Sequence, residues 1–297
     1  MKRNLILLIG SFCFCLYPIW AVEKPMEGGF QNPFFAMSNC AGADSDLPLP
    51  ERLKVLKDLG YAGTSYSEVQ GLEKVLSALD AAGLELFALY IGVTIDPGAN
   101  PYDPGLEEAI RLLEGRDTVI WLYLRSEVHK TSSVEGDPHA VQLVGEIADM
   151  TERSGLRIAL YPHFGFWLER VEDGVRIAEK VGQKNVGVTF NLCHWLILDK
   201  EETLEARLEV AAPHLFVVTL NGISRDVKPD AREGWIQTLD QGSYDLEKLL
   251  ISLQRLDYTG PIGLQCYGIE GDFRQSLERS MMAWRTLSSR LSGAPPP

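Results

Sequence analysis

The sequence predicts an α/β protein, specifically a (β/α)8 TIM barrel. Apolar runs of strand length alternate with amphipathic segments of helix length, a pattern typical of parallel βα units. Eight strand candidates, each followed by a helix candidate, lie between residues 34 and 290. That stretch has the size of one α/β barrel. A doubly wound open sheet is the alternative, but no GxGxxG follows the first strand and no Walker sequence occurs.

The strand candidates are apolar runs rich in branched and aromatic residues, bounded by glycine, proline or polar residues. In chain order they are Phe34–Asn39, Tyr61–Tyr66, Leu84–Gly92, Thr118–Leu124, Leu156–His163, Asn185–Asn191, His214–Asn221 and Pro261–Tyr267. In a parallel barrel they all run in the same direction, so their carboxyl ends are expected to meet at one mouth.

The helix candidates have apolar residues at helical spacing between the strands. They are Glu51–Leu59, Leu72–Ala82, Gly105–Glu114, His139–Arg153, Val171–Val181, Glu202–Ala211, Asp245–Leu256 and Phe273–Arg290. Several end in glycine just before the next strand, as in DLGYAG, DAAGLEL and ERSGLRI, where glycine supplies the positive φ of a helix C-cap.

Both ends of the chain are predicted to lie outside the barrel. Residues 1–21 have a basic start, an apolar run and Ala21 before a polar segment, which predicts a signal peptide. A transmembrane helix is the alternative, but the run is shorter than the roughly 20 residues needed and contains Pro18. Residues 22–33 are then an N-terminal extension, 34–290 the barrel and 291–297 a flexible tail. We expect export to the periplasm or beyond, without stable membrane insertion after cleavage.

The net charge limits the classes of binding partner, and the number of cysteines limits the disulfide bonds that can form. The chain has 28 basic and 41 acidic residues, and loss of the signal leaves 26 against 41, which disfavours nucleic acid and acidic membranes as partners. Cys40, Cys193 and Cys266 remain after the signal, an odd number that excludes a disulfide framework. One bridge is possible, but we expect Cys193 and Cys266 to be buried thiols.

The carboxyl ends of the last four strands are unusually polar and aromatic. Period-two alternation points the following pairs into the barrel mouth: Tyr161 and His163, Thr189 and Asn191, Thr219 and Asn221, and Gln265 and Tyr267. His163 and His194 leave neighbouring strands, so both imidazoles can reach one cavity, where they are candidate acids and bases.

The other polar and flat side chains predict a carbohydrate site. Amides and hydroxyls would bind sugar hydroxyls, and Tyr161, Tyr267, Trp167, Trp195 and Trp235 could offer apolar faces. The structural alternatives are that the histidines are hydrogen-bonded barrel residues without a chemical role, and that the tryptophans only pack loops onto the rim. No set of carboxylates and imidazoles with metal-ligand spacing is found at these strand ends.

These residues resemble the sugar phosphate isomerase/epimerase family of xylose isomerase-like TIM barrels. The resemblance rests on YAGTSYS, SGLRIALYPH, KNVGVTFNLCHW, PHLFVVTLNG and LDQGSYDLEKLLISLQRLDYTGPIGLQ, and it spans nearly the whole chain after the signal. It implies a divalent metal held at the ends of strands five to eight. Those four positions are Tyr161, Asn191, Thr219 and Gln265 here, so every ligand is replaced.

Amides keep the shape of carboxylates but not the charge that holds a hard cation, so we predict no metal and no other cofactor. The expected function is an exported isomerase- or epimerase-like enzyme that moves a proton next to a sugar carbonyl, with His163 and His194 as acid and base. Three alternatives stay open: a lyase or hydratase acting on keto-sugars, a sugar-binding barrel without activity, and a metal bound by His163, His194 and a loop glutamate. The sequence does not indicate the oligomeric state.

Overall fold

Eight parallel strands close into a barrel surrounded by helices in the computed structural model, which describes residues 30–40, 47–230 and 232–291. The strands are β1 (Phe34–Ala36), β2 (Gly63–Tyr66), β3 (Glu85–Thr94), β4 (Val119–Arg125), β5 (Arg157–Leu160), β6 (Val186–Asn191), β7 (Leu215–Leu220) and β8 (Ile262–Leu264). Each strand pairs with its neighbour in chain order, and β1 closes the barrel by pairing with β8. The predicted fold class is confirmed, and the open-sheet alternative is wrong.

Nine α-helices lie in the described part of the chain. They are α1 (Leu49–Leu59), α2 (Leu72–Ala82), α3 (Leu106–Leu112), α4 (Asp137–Arg153), α5 (Val171–Val181), α6 (Leu192–Leu198), α7 (Leu204–Ala211), α8 (Leu246–Arg255) and α9 (Phe273–Leu291). The predicted helices all form, with small changes at their ends. Helix α6 was not predicted: it begins directly after β6, where the Asn191 side chain accepts a hydrogen bond from the backbone N–H of His194.

Aromatic side chains fill the barrel from its interior to its mouth. Phe35 of β1 lies 5.9 Å from Trp121 of β4, and Trp121 lies 5.2 Å from Tyr161, measured between ring centroids. Gly263 of β8 leaves room for this column, because a Cβ there would lie 2.6 Å from the Phe35 ring. The column is the floor beneath the strand ends that carry the polar residues.

A disulfide joins Cys40 and Cys266, so the expectation of a free Cys266 thiol is wrong. The two cysteines lie 226 residues apart in sequence, but they follow β1 and β8, which are neighbours in the closed barrel. Cys193 is a buried free thiol, as expected.

The predicted signal peptide lies outside the described residues, as do most of the N-terminal extension and residues 292–297. The described end of the extension packs on the barrel: the Asn32 amide donates to the carbonyls of Tyr258 and Gly260, and Phe30 contacts the Trp284 ring edge-on at 5.8 Å. Leu291, predicted to begin the tail, still belongs to α9. None of the described helices combines the length and apolarity needed to cross a bilayer.

Candidate functional site

The two histidines singled out by the sequence are in direct contact at the barrel mouth. The ring centroids of His163, just after β5, and His194, in α6, lie 4.0 Å apart at an angle of 41°. His163 also stacks on Phe166 with a centroid distance of 4.0 Å. Helix α6 sets the position of His194, because it starts at the end of β6 and turns the residue three positions after Asn191 back over the mouth.

Hydrogen bonding fixes the tautomer of neutral His163. Its Nδ1 lies 2.8 Å from the carbonyl oxygen of Phe164, and a carbonyl can only accept, so Nδ1 carries the proton. The lone pair of neutral His163 is then on Nε2, which receives no hydrogen bond from the described residues. Nε2 is therefore the atom able to take up a proton.

Burial keeps both imidazoles neutral. Desolvation lowers the pKa of His163, and the charge of Arg232 lowers it further. His194 is only 5% exposed, and burial together with the neighbouring His163 holds its pKa well below the ordinary value. Neither ring nitrogen of His194 has a hydrogen-bond partner in the described structure. His163 is half-buried and accessible, whereas His194 is sealed behind it.

Tyr161 and Asn191 are bonded to each other rather than open to a ligand. The Asn191 amide donates to the Tyr161 hydroxyl, and its oxygen accepts from the backbone N–H of His194 at 3.0 Å. Burial raises the pKa of Tyr161, so its hydroxyl stays protonated. The hydroxyl of Thr219, on the adjacent strand β7, is buried without a hydrogen-bond partner.

Gln265 and Asn221 hold the loops of the mouth in place. The Gln265 side-chain oxygen accepts from the Asn39 amide, whose own oxygen accepts from the backbone N–H of Cys266, so this contact lies beside the disulfide. The Asn221 amide donates to the carbonyls of Gly222 and Trp235, at 2.7 and 2.9 Å. The buried oxygen of Asn221 has no partner and is the polar atom that this residue could offer to a ligand.

The predicted aromatic faces are mostly placed elsewhere. Trp167 is buried against Gly136, and Trp195 is buried between Phe190 and Tyr244. Trp235 is half-buried in the loop after β7, where its indole N–H donates to the Lys228 carbonyl. Tyr267 lies beyond β8 and is 60% exposed.

The side chains that do line the mouth form a closed circle of rings, which we call the mouth aromatics. Its members, each contacting the next, are Tyr90, Tyr123, Phe166, His163, His194 and Tyr161, with centroid distances between 4.0 and 6.2 Å. The sequence reasoning missed Tyr90, Tyr123 and Phe166, although Tyr123 lies two residues before the end of β4.

A cavity of about 280 Å³ opens beside the mouth aromatics, at the carboxyl ends of β2, β3 and β4. Tyr90, Tyr123 and Arg125 form one wall, and Ser67, Glu68 and Gln70 contribute to the other. The Arg125 guanidinium lies over the rings of Tyr123 and Phe166, 5.2 and 5.7 Å from their centroids. The cavity is therefore polar, and it adjoins the stack that carries His163. Sequence reasoning also missed Arg125.

The donors at the mouth do not suit a divalent cation. The four family positions carry a phenol, two amides and a hydroxyl, and none is a carboxylate. The described residues contain no group of three or more histidine, cysteine, aspartate or glutamate side chains placed to hold a metal ion.

Comparisons with known proteins agree with this architecture. A family model described as the xylose isomerase-like TIM barrel matches residues 53–284. No curated protein matches the chain.

Several solved structures share the fold at low identity. The 3-keto-D-glucoside 4-epimerase YcjR from E. coli is 16% identical, with 85% of this chain and 98% of that chain covered at a TM-score of 0.68. The IOLI protein with a bound zinc atom is 15% identical, with 87% and 98% covered at 0.70. An L-ribulose 3-epimerase is 14% identical, with 88% and 95% covered at 0.69.

Proposed function

Because the chain belongs to the xylose isomerase-like TIM barrel family, we propose that it is an isomerase- or epimerase-like enzyme acting on a carbohydrate. The reaction is proton transfer at a carbon next to a carbonyl, without a metal ion. The observation that carries the proposal is the contact between His163 and His194 at the barrel mouth, with Nε2 of His163 free to accept a proton.

In the proposed step, Nε2 of neutral His163 removes the proton from the carbon beside the carbonyl. The C–H electron pair moves into an enolate, and the resulting imidazolium returns a proton to complete the isomerisation or epimerisation. The lowered pKa of His163 keeps the base unprotonated at neutral pH. His194 packs against the ring of His163 and is the second candidate acid or base.

A keto-sugar is the substrate class that fits best. A ketone already acidifies the neighbouring C–H, which lessens the need for the metal that otherwise stabilises the enolate oxygen. The fold neighbour YcjR acts on a 3-keto-D-glucoside, which supports this choice. Elimination from a keto-sugar would begin with the same proton abstraction, so a lyase or hydratase is the second candidate.

Absence of the metal is part of the proposal and is supported by the donor set. Tyr161 and Asn191, which stand at two of the family's ligand positions, are bonded to each other, and neither carries a negative charge. The zinc of the IOLI protein belongs to a neighbour that is only 15% identical in sequence.

We also propose that the protein works outside the cytoplasm. The disulfide between Cys40 and Cys266 supports this, because such bonds persist in oxidising compartments. Expression of the full chain in a bacterial host should yield a protein in the periplasm or medium whose N-terminus is residue 22. Full-length protein retained in the cytoplasm would contradict the proposal.

Substitution of the histidines tests the enzymatic function. With a keto-sugar substrate in heavy water, His163→Gln and His194→Gln should each reduce proton–deuterium exchange by a hundredfold or more. Binding of the same sugar should fall only a few-fold. The control is His214→Gln, because His214 lies at the start of β7, at the opposite end of the barrel. Sugar binding without exchange in the unmodified protein would instead support a binding barrel without activity.

A further inference from the structure

Two arginines at the barrel mouth have no partner in the described part of the chain. Arg125 ends β4 and lies over the rings of Tyr123 and Phe166, and Arg232 lies in the loop after β7. Among the residues that the structure describes, neither guanidinium forms a hydrogen bond or an ion pair. Other arginines are paired: Arg116 with Asp80, Arg176 with Asp137, and Arg255 with Glu205.

Each arginine is linked to His163, one through a ring contact and one through its charge. Arg125 lies over Phe166, which stacks on the His163 ring at 4.0 Å. Arg232 is close enough for its charge to lower the pKa of His163, and its backbone carbonyl accepts from the N–H of Trp235, which contacts Phe164. The charge of Arg232 therefore acts on the imidazole that we assign as the base, and the charge of Arg125 is separated from it by the Phe166 ring.

This concentration of positive charge is unusual for the chain as a whole. The formal net charge is −13, so the protein repels anions at long range. Acidic side chains outnumber basic ones in the chain, yet neither arginine forms an ion pair within the described residues. A negatively charged ligand is the partner that their placement fits.

We propose that the substrate is an acidic sugar whose carboxylate is bound by Arg125 and Arg232. The Arg125 guanidinium lies over two rings and lines the cavity, and a guanidinium can bind a carboxylate through two parallel hydrogen bonds. Ser67 and Glu68 also line the cavity and carry oxygens that can accept hydrogen bonds from sugar hydroxyls. The Ser67 hydroxyl already shares a hydrogen bond with the Ser38 hydroxyl. Asp103, also at the cavity, is already bonded to Gln70 and to the backbone N–H of Gly105.

The inference rests on the proposed carbohydrate function and narrows it to one substrate class. In this proposal the carboxylate lies at Arg125, and the sugar extends past the rings that line the mouth toward His163. Calorimetric titration measures the preference for a carboxylate. The ligands are the acidic sugars glucuronate and galacturonate, the neutral comparison compounds glucose and glucuronamide, and the phosphate ester glucose 6-phosphate. Glucuronate should bind at least tenfold more tightly than glucuronamide, and glucose 6-phosphate should bind more weakly than glucuronate.

Variants assign the preference to the arginines. Arg125→Gln and Arg232→Gln should each weaken glucuronate binding by roughly ten- to a hundredfold, the size expected when a charged hydrogen-bond partner is lost. The affinity for glucose should change less than twofold. The matched control is Arg255→Gln, which removes an exposed arginine paired with Glu205 on the outer helices and should leave both affinities unchanged.

Several results would overturn the inference. They are equal binding of acidic and neutral sugars, tighter binding of the phosphate ester, and a loss of turnover in Arg125→Gln with unchanged glucuronate affinity. In each of these cases exchange catalysed on a neutral keto-sugar would leave the proposed function intact. Absence of exchange on every keto-sugar, acidic or neutral, would instead contradict the proposed function itself.

Discussion

Two imidazoles, one accessible and one sealed, define the chemistry of the mouth at the residue scale. His163 presents Nε2, while His194 lies behind it with both nitrogens buried and unpartnered. Protonating either ring places a charge in a poorly solvated environment. Protonating both would place two positive charges on rings whose centroids are 4.0 Å apart. At neutral pH both imidazoles are therefore uncharged.

This arrangement predicts that stability falls as the pH drops. Burial lowers the pKa of His194 below its ordinary value of 6.5, so the unfolded chain binds more protons than the folded chain below that pH. The free energy of unfolding should be greatest above pH 6.5 and should fall toward pH 5, by up to about 1.4 kcal/mol per pH unit for each such group. Urea unfolding measured between pH 5 and 7.5 checks this.

His194→Gln is the matched test, because it removes one titrating group and keeps a side chain able to form hydrogen bonds. The pH dependence of its unfolding free energy should be shallower than that of the unmodified protein. An identical slope in the two proteins would mean that His194 is already protonated in the folded state or does not titrate in this range.

At the element scale, the short helix α6 depends on one side chain for its start. Asn191 caps the helix through its oxygen and donates to Tyr161 through its amide, so a single residue fixes both His194 and the floor of the site. Sequence reasoning predicted Asn191 as a substrate ligand and missed its capping role, because the apolar run of β6 continues into the helix without an interruption in composition.

Two Asn191 variants distinguish the helix-capping role of its side-chain oxygen from the role of its uncharged amide. Asn191→Ala should lower the free energy of unfolding by about 0.5–2 kcal/mol, since it removes the cap of α6. Asn191→Asp keeps the capping oxygen and should retain the fold above the pKa of the new carboxyl. Because Tyr161, Thr219 and Gln265 supply no further carboxylate, Asn191→Asp should not acquire stoichiometric Mn²⁺ or Zn²⁺. Tight metal binding by that variant, measured by calorimetry, would show that the site lacks only one charge.

Elements could be predicted from the sequence more reliably than the directions of their last side chains. Apolar runs and helices that end in glycine predicted all eight strands. However, β5 ends at Leu160 and β8 at Leu264, before the polar residues that were assigned to these strands. Beyond the ladder, alternation no longer constrains a side chain, which is why Tyr267 faces solvent. Alternation along β4 places Tyr123 on the same face as Trp121 and Arg125, a signal that could have found it. Tyr90 lies in the middle of the long strand β3, so the end of that strand does not indicate that it reaches the mouth.

At the level of the whole barrel, the seam between β1 and β8 joins its two shortest strands. Strands β1 and β8 contribute three residues each, and the disulfide lies directly beyond them. The sequence could not indicate the pairing of Cys40 with Cys266, because the two become neighbours only when the first and last strands meet.

Reduction should therefore destabilise the protein, by about 2–5 kcal/mol for a bond that closes so long a loop. Thermal unfolding with and without dithiothreitol checks this, and the melting temperature should fall on reduction. The melting temperature of Cys193→Ala should still fall on reduction. The melting temperature of Cys40→Ser should be low both with and without dithiothreitol. A melting temperature unaffected by reductant would mean that the seam is held by packing and strand pairing.

We propose that the barrel moves a proton on a carbohydrate without a metal ion, because the donors at its mouth do not suit a divalent cation. The direct measurement is proton–deuterium exchange into a keto-sugar acid by chelator-treated protein whose metal content has been determined by elemental analysis. We predict exchange at an undiminished rate with no stoichiometric metal, and no increase when Mn²⁺, Mg²⁺ or Zn²⁺ is added. Exchange that disappears on chelation and returns with one equivalent of a divalent cation would contradict the account.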